Sequence, residues 1–185
     1  MTYCKTVTLK DGRECVLRNG DEADGAALLY IFNLTHGQTD FLLSYPDESA
    51  YTADEEAEFL KVRTASEREI ELLAEIGGQI VGSAGIGAAG QRRKVRHRAE
   101  FGISVDMAYW GLGVGRALTE ACVECARAAG YSQLELEVVA ENGRAVSLYE
   151  KCGFVEFGRN PRGFLSDTGK YQEVVHMRLE LDPVK

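Results

Sequence analysis

A chain of 185 residues with 45% hydrophobic and 27% charged side chains matches the composition of one globular domain with a substantial core, which excludes a disordered segment. A formal net charge of −8 makes the surface as a whole repel nucleic acid and anionic membrane. No run of about twenty apolar residues could cross a bilayer, and Met1-Thr2-Tyr3-Cys4-Lys5 has no apolar centre to act as a signal peptide, so a cytoplasmic location is expected.

From the N-terminus, Val7 to Arg18 alternates polar and apolar residues around Asp11-Gly12, a dipeptide suited to a two-residue hairpin. Asp21 caps a helical stretch through about Leu34, and Asp54 opens a second through about Arg63. Between them Thr35 to Ala53, with Pro46, several acids and aromatics, reads as a loop. Strand-like runs follow at Glu69–Ile76 and Gln79–Ile86, turning at Gly77-Gly78. Gln91 to Arg98 carries five basic residues and His97. On so acidic a chain, with no interleaved aromatics, this reads as a solvated hairpin tip rather than a nucleic-acid patch. A local role in attracting an acidic acceptor or a phosphate stays open.

The second half alternates more regularly. A strand at Ala99–Val105 leads into a glycine-rich loop and a helix from about Gly113 to Ala129, which Gly130 ends. A strand at Gln133–Val139 precedes a helix from about Asn142 to Cys152, ended by Gly153; strands at Phe154–Gly158 and Tyr171–Leu181 close the chain. This order of elements is that of one mixed α/β domain.

Cys4, Cys15, Cys122, Cys125 and Cys152 do not form a disulfide framework for a chain of this size. The Cys122-x-x-Cys125 pair shares an apolar helical stripe with Val114, Leu118, Ala121 and Ala129, so it reads as small core side chains. No second pair or nearby histidines complete a zinc site, and reduced thiols are expected.

Residues 109–116 read Tyr-Trp-Gly-Leu-Gly-Val-Gly-Arg. Three alternating glycines leave the backbone almost without bulk where a helix begins, so unpaired N–H groups and a positive dipole end face whatever lies there. Such a loop cradles phosphate. It is not the dinucleotide fingerprint, which from Gly111 would need glycine where Arg116 stands and from Gly113 where Leu118 stands. No Lys-Ser/Thr follows, so it is not a nucleoside-triphosphate loop either. The second motif, Asn142-Gly143-Arg144-Ala145-Val146-Ser147-Leu148-Tyr149-Glu150-Lys151-Cys152-Gly153-Phe154, follows a strand. Asn142 is a good N-cap, and Tyr149 lies seven residues on along the same helix face. By itself Tyr149 reads as a core aromatic.

Taken together, Val105–Arg116 and Asn142–Phe154, with a helix and a strand between them, resemble the two cofactor motifs of the GNAT superfamily of N-acetyltransferases. The resemblance covers roughly Gln79 to Leu181, with Trp110 a departure where the family more often has Arg or Gln. It implies a central mixed, splayed sheet flanked by helices, in a single N-acetyltransferase domain over residues 1–185. The N-terminal hairpin would occupy about 5–18 and the cofactor-binding core about 79–181. It also implies acetyl-CoA as co-substrate, no metal, and direct transfer to an amine in a ternary complex. Ser104 and Val105, at the end of the splayed strand, would offer backbone groups to the pantetheine arm. The N–H groups of Gly111, Leu112, Gly113, Val114, Gly115 and Arg116 would hold the pyrophosphate. Asn142, with Ala145 beside it, would contact the pantetheine or acetyl end, and Tyr149 would stand near the thioester sulfur as general acid.

Acyl transfer to an amine needs a base for the ammonium proton, a donor for the oxyanion and a proton for the thiolate. The Val105 N–H is the natural oxyanion donor. For the base, Glu137 lies in the strand before Asn142, at a position similar to a catalytic glutamate of some family members that modify protein N-termini. Glu100 shares a strand face with Gly102 and Ser104. Both also read as exposed strand carboxylates near a sheet end, for Glu100 as readily as a catalytic base, and Glu135 shares the face of Glu137. A covalent route through Cys152 is disfavoured, since no histidine lies near it in sequence. The resemblance leaves peptide α-amines, lysines, amino acids, polyamines and antibiotic amines open as acceptors. The acidic stretch Asp40–Glu58 favours a cationic one. A CoA-binding module without catalysis is the alternative, and Tyr171–Leu181, read as an end strand, could pair across a homodimer.

Overall fold

The computed structural model describes residues 1–48 and 51–181; Ser49 and Ala50, within the loop expected from Thr35 to Ala53, lie outside the described residues. Eight strands and four helices follow one another as β1 (Cys4–Thr8), β2 (Glu14–Asn19), α1 (Gly25–Gln38), α2 (Ala53–Ala65), β3 (Ile70–Ile76), β4 (Gln79–Ala88), β5 (Arg98–Val105), α3 (Val114–Ala128), β6 (Gln133–Val139), α4 (Gly143–Lys151), β7 (Val155–Leu165) and β8 (Tyr171–Glu180). All eight strands join one sheet in the order β1-β2-β3-β4-β5-β6-β8-β7. Neighbours are antiparallel except β5 and β6, which run parallel over only Arg98↔Gln133, Ala99↔Leu134 and Glu100↔Glu135. Beyond Glu100 the two strands separate. The mixed α/β fold and the split sheet are as expected.

The local chemistry explains the boundaries. Gly77 and Gly78 take φ of 59° and 83°, the left-handed pair that a two-residue hairpin requires, and they set Ile76 opposite Gln79. The first hairpin differs from expectation. Leu9 N–H donates to Arg13 C=O at 2.8 Å, so the loop is Lys10-Asp11-Gly12 with Gly12 at φ 86°, three residues rather than two. Asp21 does cap, but it opens a 3-10 turn at Glu22–Asp24, and α1 follows from Gly25. That helix runs four residues past Leu34 because tertiary partners hold its polar last turn. Gln38 Nε2 donates to Asp106 Oδ1 at 2.8 Å, and Gln38 Oε1 accepts from Met107 N–H at 2.9 Å.

Two expectations about the last strands are corrected. β7 extends seven residues beyond Gly158, through Asn160-Pro161-Arg162-Gly163, with register shifts where the proline falls. An edge strand has one row of N–H groups without ladder partners, so it tolerates a proline there. β8 is not an end strand: it lies between β6 and β7, and the free edge belongs to β7. The larger core spans both halves, with α3 burying Val114, Leu118, Ala121, Cys122, Cys125 and Ala126 against the sheet, and a smaller one joins Leu28 and Ile31 of α1 and Leu60 of α2 to Leu73 and Ile80. Cys122 and Cys125 are free thiols in that core. Burial pushes Cys125 up to about 12 and raises Cys122 as well, so both stay protonated. Among the described residues, no helix is long and apolar enough to cross a membrane.

Candidate active site

β5 leads through Asp106 and a 3-10 turn at Met107–Tyr109 into the glycine loop. Asp106 Oδ1 accepts from Ala108 N–H at 3.0 Å, and Trp110 Nε1 donates to Val105 C=O at 2.7 Å, so the indole pins the loop to the end of the strand. Gly111 and Gly113 adopt φ of 81° and 108°, conformations that a side chain would strain. A Cβ at either would meet nothing within 4 Å, so the loop faces open space. Among the described residues, none of the N–H groups from Gly111 through Arg116 has a hydrogen-bond partner. Six consecutive free donors at a helix start match a diphosphate in number and sign.

The loop also has a cationic rim that the sequence did not disclose. Lys10, at the tip of the first hairpin, donates through its N–H to Leu112 C=O at 3.0 Å and through Nζ to Gly111 C=O at 3.1 Å. Arg13 lies over Tyr109 at 5.2 Å and Arg144 over Trp110 at 4.4 Å. Arg116, an expected partner for the phosphates, is exposed and pairs with Glu120 at 2.8 Å. No spacing rule links residues 10 and 111; only the tertiary fold brings them together.

Between the separated strands lies a cavity of about 680 Å³ lined by residues of β4, β5, β6 and α4. Asp106 N–H donates to Val81 C=O of β4. In an antiparallel ladder bonded pairs alternate, so the backbone of Ser104 turns to Ser83 of β4 while that of Val105 turns to the gap. Ser104 lines the cavity, but its backbone groups are turned to β4. Of Val105, the N–H faces the gap and the C=O is taken by Trp110.

Asn142 caps α4, its Oδ1 accepting from Ala145 N–H at 3.2 Å. The cap uses the Asn142 Oδ1 and the Ala145 N–H; Asn142 also lines the cavity. Tyr149 is 7% exposed and packs edge-on against Phe101 and Phe154, with ring centroids 6.1 and 6.0 Å away. Burial raises its pKa and no hydrogen bond contributes to the shift, so the phenol keeps its proton and has none of the described residues as a partner. Its oxygen is not sealed in the core, because Tyr149 lines the cavity. The Cys152 thiol is raised by burial, which disfavours the thiolate that a covalent route would need.

The three expected carboxylates all line the cavity, but they are differently placed. Glu135 pairs with Arg98, which holds its carboxyl below the usual range, so it fixes the strand pair where the split begins. Glu137 is 57% exposed and shares its carboxylate with His176 Nδ1 at 3.2 Å. Glu100 is exposed on the neighbouring strand. A fourth carboxylate was missed. Glu71 of β3 lies across Gly85 of β4, where any Cβ would overlap its Oε2. Desolvation raises Glu71 to about 7 against the pull of Ser83 and Arg63, and the negative charge of Glu56 adds to the rise. The trace in the sequence is Gly85 itself, opposite Glu71 in register.

Residues 28–154 match the family model described as Acetyltransferase (GNAT) family. The chain is 33% identical over 108 residues to the L-amino acid N-acetyltransferase AaaT of Escherichia coli K12, covering 58% of this chain and 65% of that protein. It is 25% identical over 166 residues to the L-amino acid N-acyltransferase MnaT of the same organism, covering 90% of this chain and 94% of the relative. A match to the mycothiol acetyltransferase of Beutenbergia cavernae spans only 18% of that protein. Among solved structures, a GNAT-family acetyltransferase of Streptococcus pneumoniae superimposes with a TM-score of 0.85 at 34% identity, covering 91% of this chain and 99% of the other. The acetyltransferase yncA of Salmonella typhimurium, solved with acetyl-CoA, shares the fold at a TM-score of 0.82 and 23% identity, covering 92% and 96%. A match over more than half of the chain, on the residues that build the loop and the split sheet, identifies this chain as a member of the GNAT family of acetyltransferases.

Proposed function

We propose that the protein is an acetyl-CoA-dependent N-acetyltransferase that moves the acetyl group to a primary amine by direct transfer in a ternary complex. The observation that carries this reading is the row of six free N–H groups at Gly111–Arg116, joined by β5 to a cavity holding the unpartnered hydroxyl of Tyr149. The residues fit the co-substrate: the loop and its rim of Lys10, Arg13, Arg116 and Arg144 would hold the phosphates, and the open edge of β5 would meet the pantetheine amides. Bound acetyl-CoA supplies the activated acetyl group and a thiol leaving group.

The chain's own groups complete the chemistry. The Val105 N–H is turned to the gap, where it would donate to the oxygen that gains charge. The Tyr149 hydroxyl would give the departing sulfur its proton. A cavity carboxylate, for which we retain Glu137 ahead of Glu100, would take the ammonium proton, directly or through water. The exposure of Glu137 suits a water-relayed base. L-amino acids, named as acceptors of two relatives, and spermidine, named for a third, define the panel to try. Thiol release from acetyl-CoA with that panel tests the reading. Acetyl-CoA binding without thiol release for any amine would favour a non-catalytic CoA-binding module.

A further inference from the structure

A second cleft, of about 380 Å³, opens between α1 and α2 and shares Phe32, Glu71 and Ser83 with the larger cavity. Its walls are aromatic and acidic: Phe32 and Tyr51 meet edge-on at 6.3 Å, and Phe59, Glu55 and Glu56 come from α2. Glu56 decides what the cleft is for. It is 8% exposed, yet among the described residues its carboxylate has no hydrogen-bond or salt-bridge partner. A buried carboxylate without a partner is costly, and here it faces a cleft wide enough for a ligand.

The charged groups around it leave it without a countercharge. Glu55 is committed to the N-cap of α2, where it accepts from Thr52 N–H at 2.8 Å. Arg63 pairs with Glu69 at 3.2 Å, donates to Ile86 C=O at 2.8 Å and covers a face of Phe59 at 5.0 Å. His36 stacks on Phe32 at 3.8 Å, and burial lowers its pKa, so it stays neutral. Glu56 and Glu71 thus face one another's field with Arg63 only partly available. An α-amino acid would bring its carboxylate into this field. A second ammonium would be drawn to it, within a cleft whose aromatic walls tolerate a cation.

We propose that the α1–α2 cleft is the acceptor's recognition pocket and that it takes a second cationic group, held by Glu56 and Glu71 in a cleft walled by Phe32, Tyr51 and Phe59, so that the acceptor is a diamine or polyamine. This rests on the transferase reading above, with the reacting amine in the larger cavity. The closing experiment compares 1,4-diaminobutane with n-pentylamine, in which a methyl group replaces the second ammonium, and with L-methionine. Thiol release gives KM for each, and calorimetry on CoA-loaded protein gives binding of the same three compounds. A charge-assisted contact made by only one of the pair corresponds to about 10- to 100-fold. We therefore expect the diamine to show a KM and Kd lower than those of the monoamine by that factor. Glu56→Gln, checked for folding by its melting curve and for acetyl-CoA binding, is expected to shrink the ratio to within about threefold. Equal affinity for the two amines, an unchanged ratio in a folded Glu56→Gln protein, or tighter binding of L-methionine overturns the proposal. Selective diamine binding without any turnover would support the subsite while overturning the transferase reading.

Discussion

Removing the charge of Glu71 should stabilise the protein, and only above a definite pH. Folding raises this carboxyl from 4.5 to about 7, so between those values the folded state binds the proton more tightly than the unfolded chain. Stability then falls as pH rises through that window, because the unfolded state binds fewer protons. The full shift corresponds to about 3.4 kcal/mol at about 1.36 kcal/mol per pH unit. Glu71 is only half-buried and borders a cavity that water can enter, so we expect about 1–3 kcal/mol to be realised. Glutamine keeps the shape, forgoes the attraction of Arg63 already contained in the net shift, and relieves Glu56 of a like charge. Glu71→Gln should therefore match the parent below pH 4.5 and exceed it above pH 7. At about 2–4 °C per kcal/mol for a chain of this length, the melting temperature should rise by several degrees. Denaturant melts of both proteins at pH 4.5 and pH 8 measure the difference, in which titrating groups not coupled to Glu71 cancel. Parallel stability curves across that range, or a variant less stable at pH 8, would refute the reasoning.

Three further outcomes are expected. Gly113→Asp should weaken acetyl-CoA binding by at least about tenfold in calorimetry, since φ of 108° strains any side chain and a carboxylate repels a diphosphate; unchanged affinity in a folded variant would dismiss the loop as the phosphate site. Tyr149→Phe should lower turnover by about 10- to 1,000-fold with acetyl-CoA binding retained, the range for loss of a positioned proton donor, and wild-type turnover would leave Tyr149 a packing residue of its aromatic cluster. Glu137→Gln should depress the rate most at low pH and recover part of it as pH rises through the acceptor's own pKa, with Glu100→Gln affecting it less; a collapsed profile for Glu100→Gln beside a normal one for Glu137→Gln would reverse the assignment.

What the sequence disclosed and what it withheld follow from the range of the interactions. The glycine loop was legible because positive φ at Gly111 and Gly113 is a local demand that only certain residues meet. β6 was read to the residue, since its alternation is uninterrupted between a helix-ending glycine and Asn142. The end of α1 was misjudged because Gln38 is held by Asp106 and Met107, sixty-eight and sixty-nine residues away. The same limit hid Lys10 beside Gly111. Glu71 was passed over for a related reason: period two places it on one face with Leu73 and Glu75, a face that looks solvated until α1 and α2 cover it. Glu75 on that same face does meet Arg18 at 3.0 Å, as a half-buried pair. The end of β7, expected at Gly158, was misjudged for a different reason. Asn160-Pro161 has the composition of a turn, and only its place at the rim of the sheet lets it continue as strand.

The early parting of β5 from β6 gives this sheet four boundaries instead of two. The outer ones are poor templates for another protein: β1 is five residues long, and β7 carries a proline, two register shifts and the charged pair Glu156 and Arg159. The inner pair lies within the sheet, with β4 on the far side of β5 and β8 on the far side of β6, so only a chain entering between the two strands can reach it. Strand donors and acceptors placed there, rather than at the perimeter, are offered to a narrow extended chain and not to the edge of another sheet.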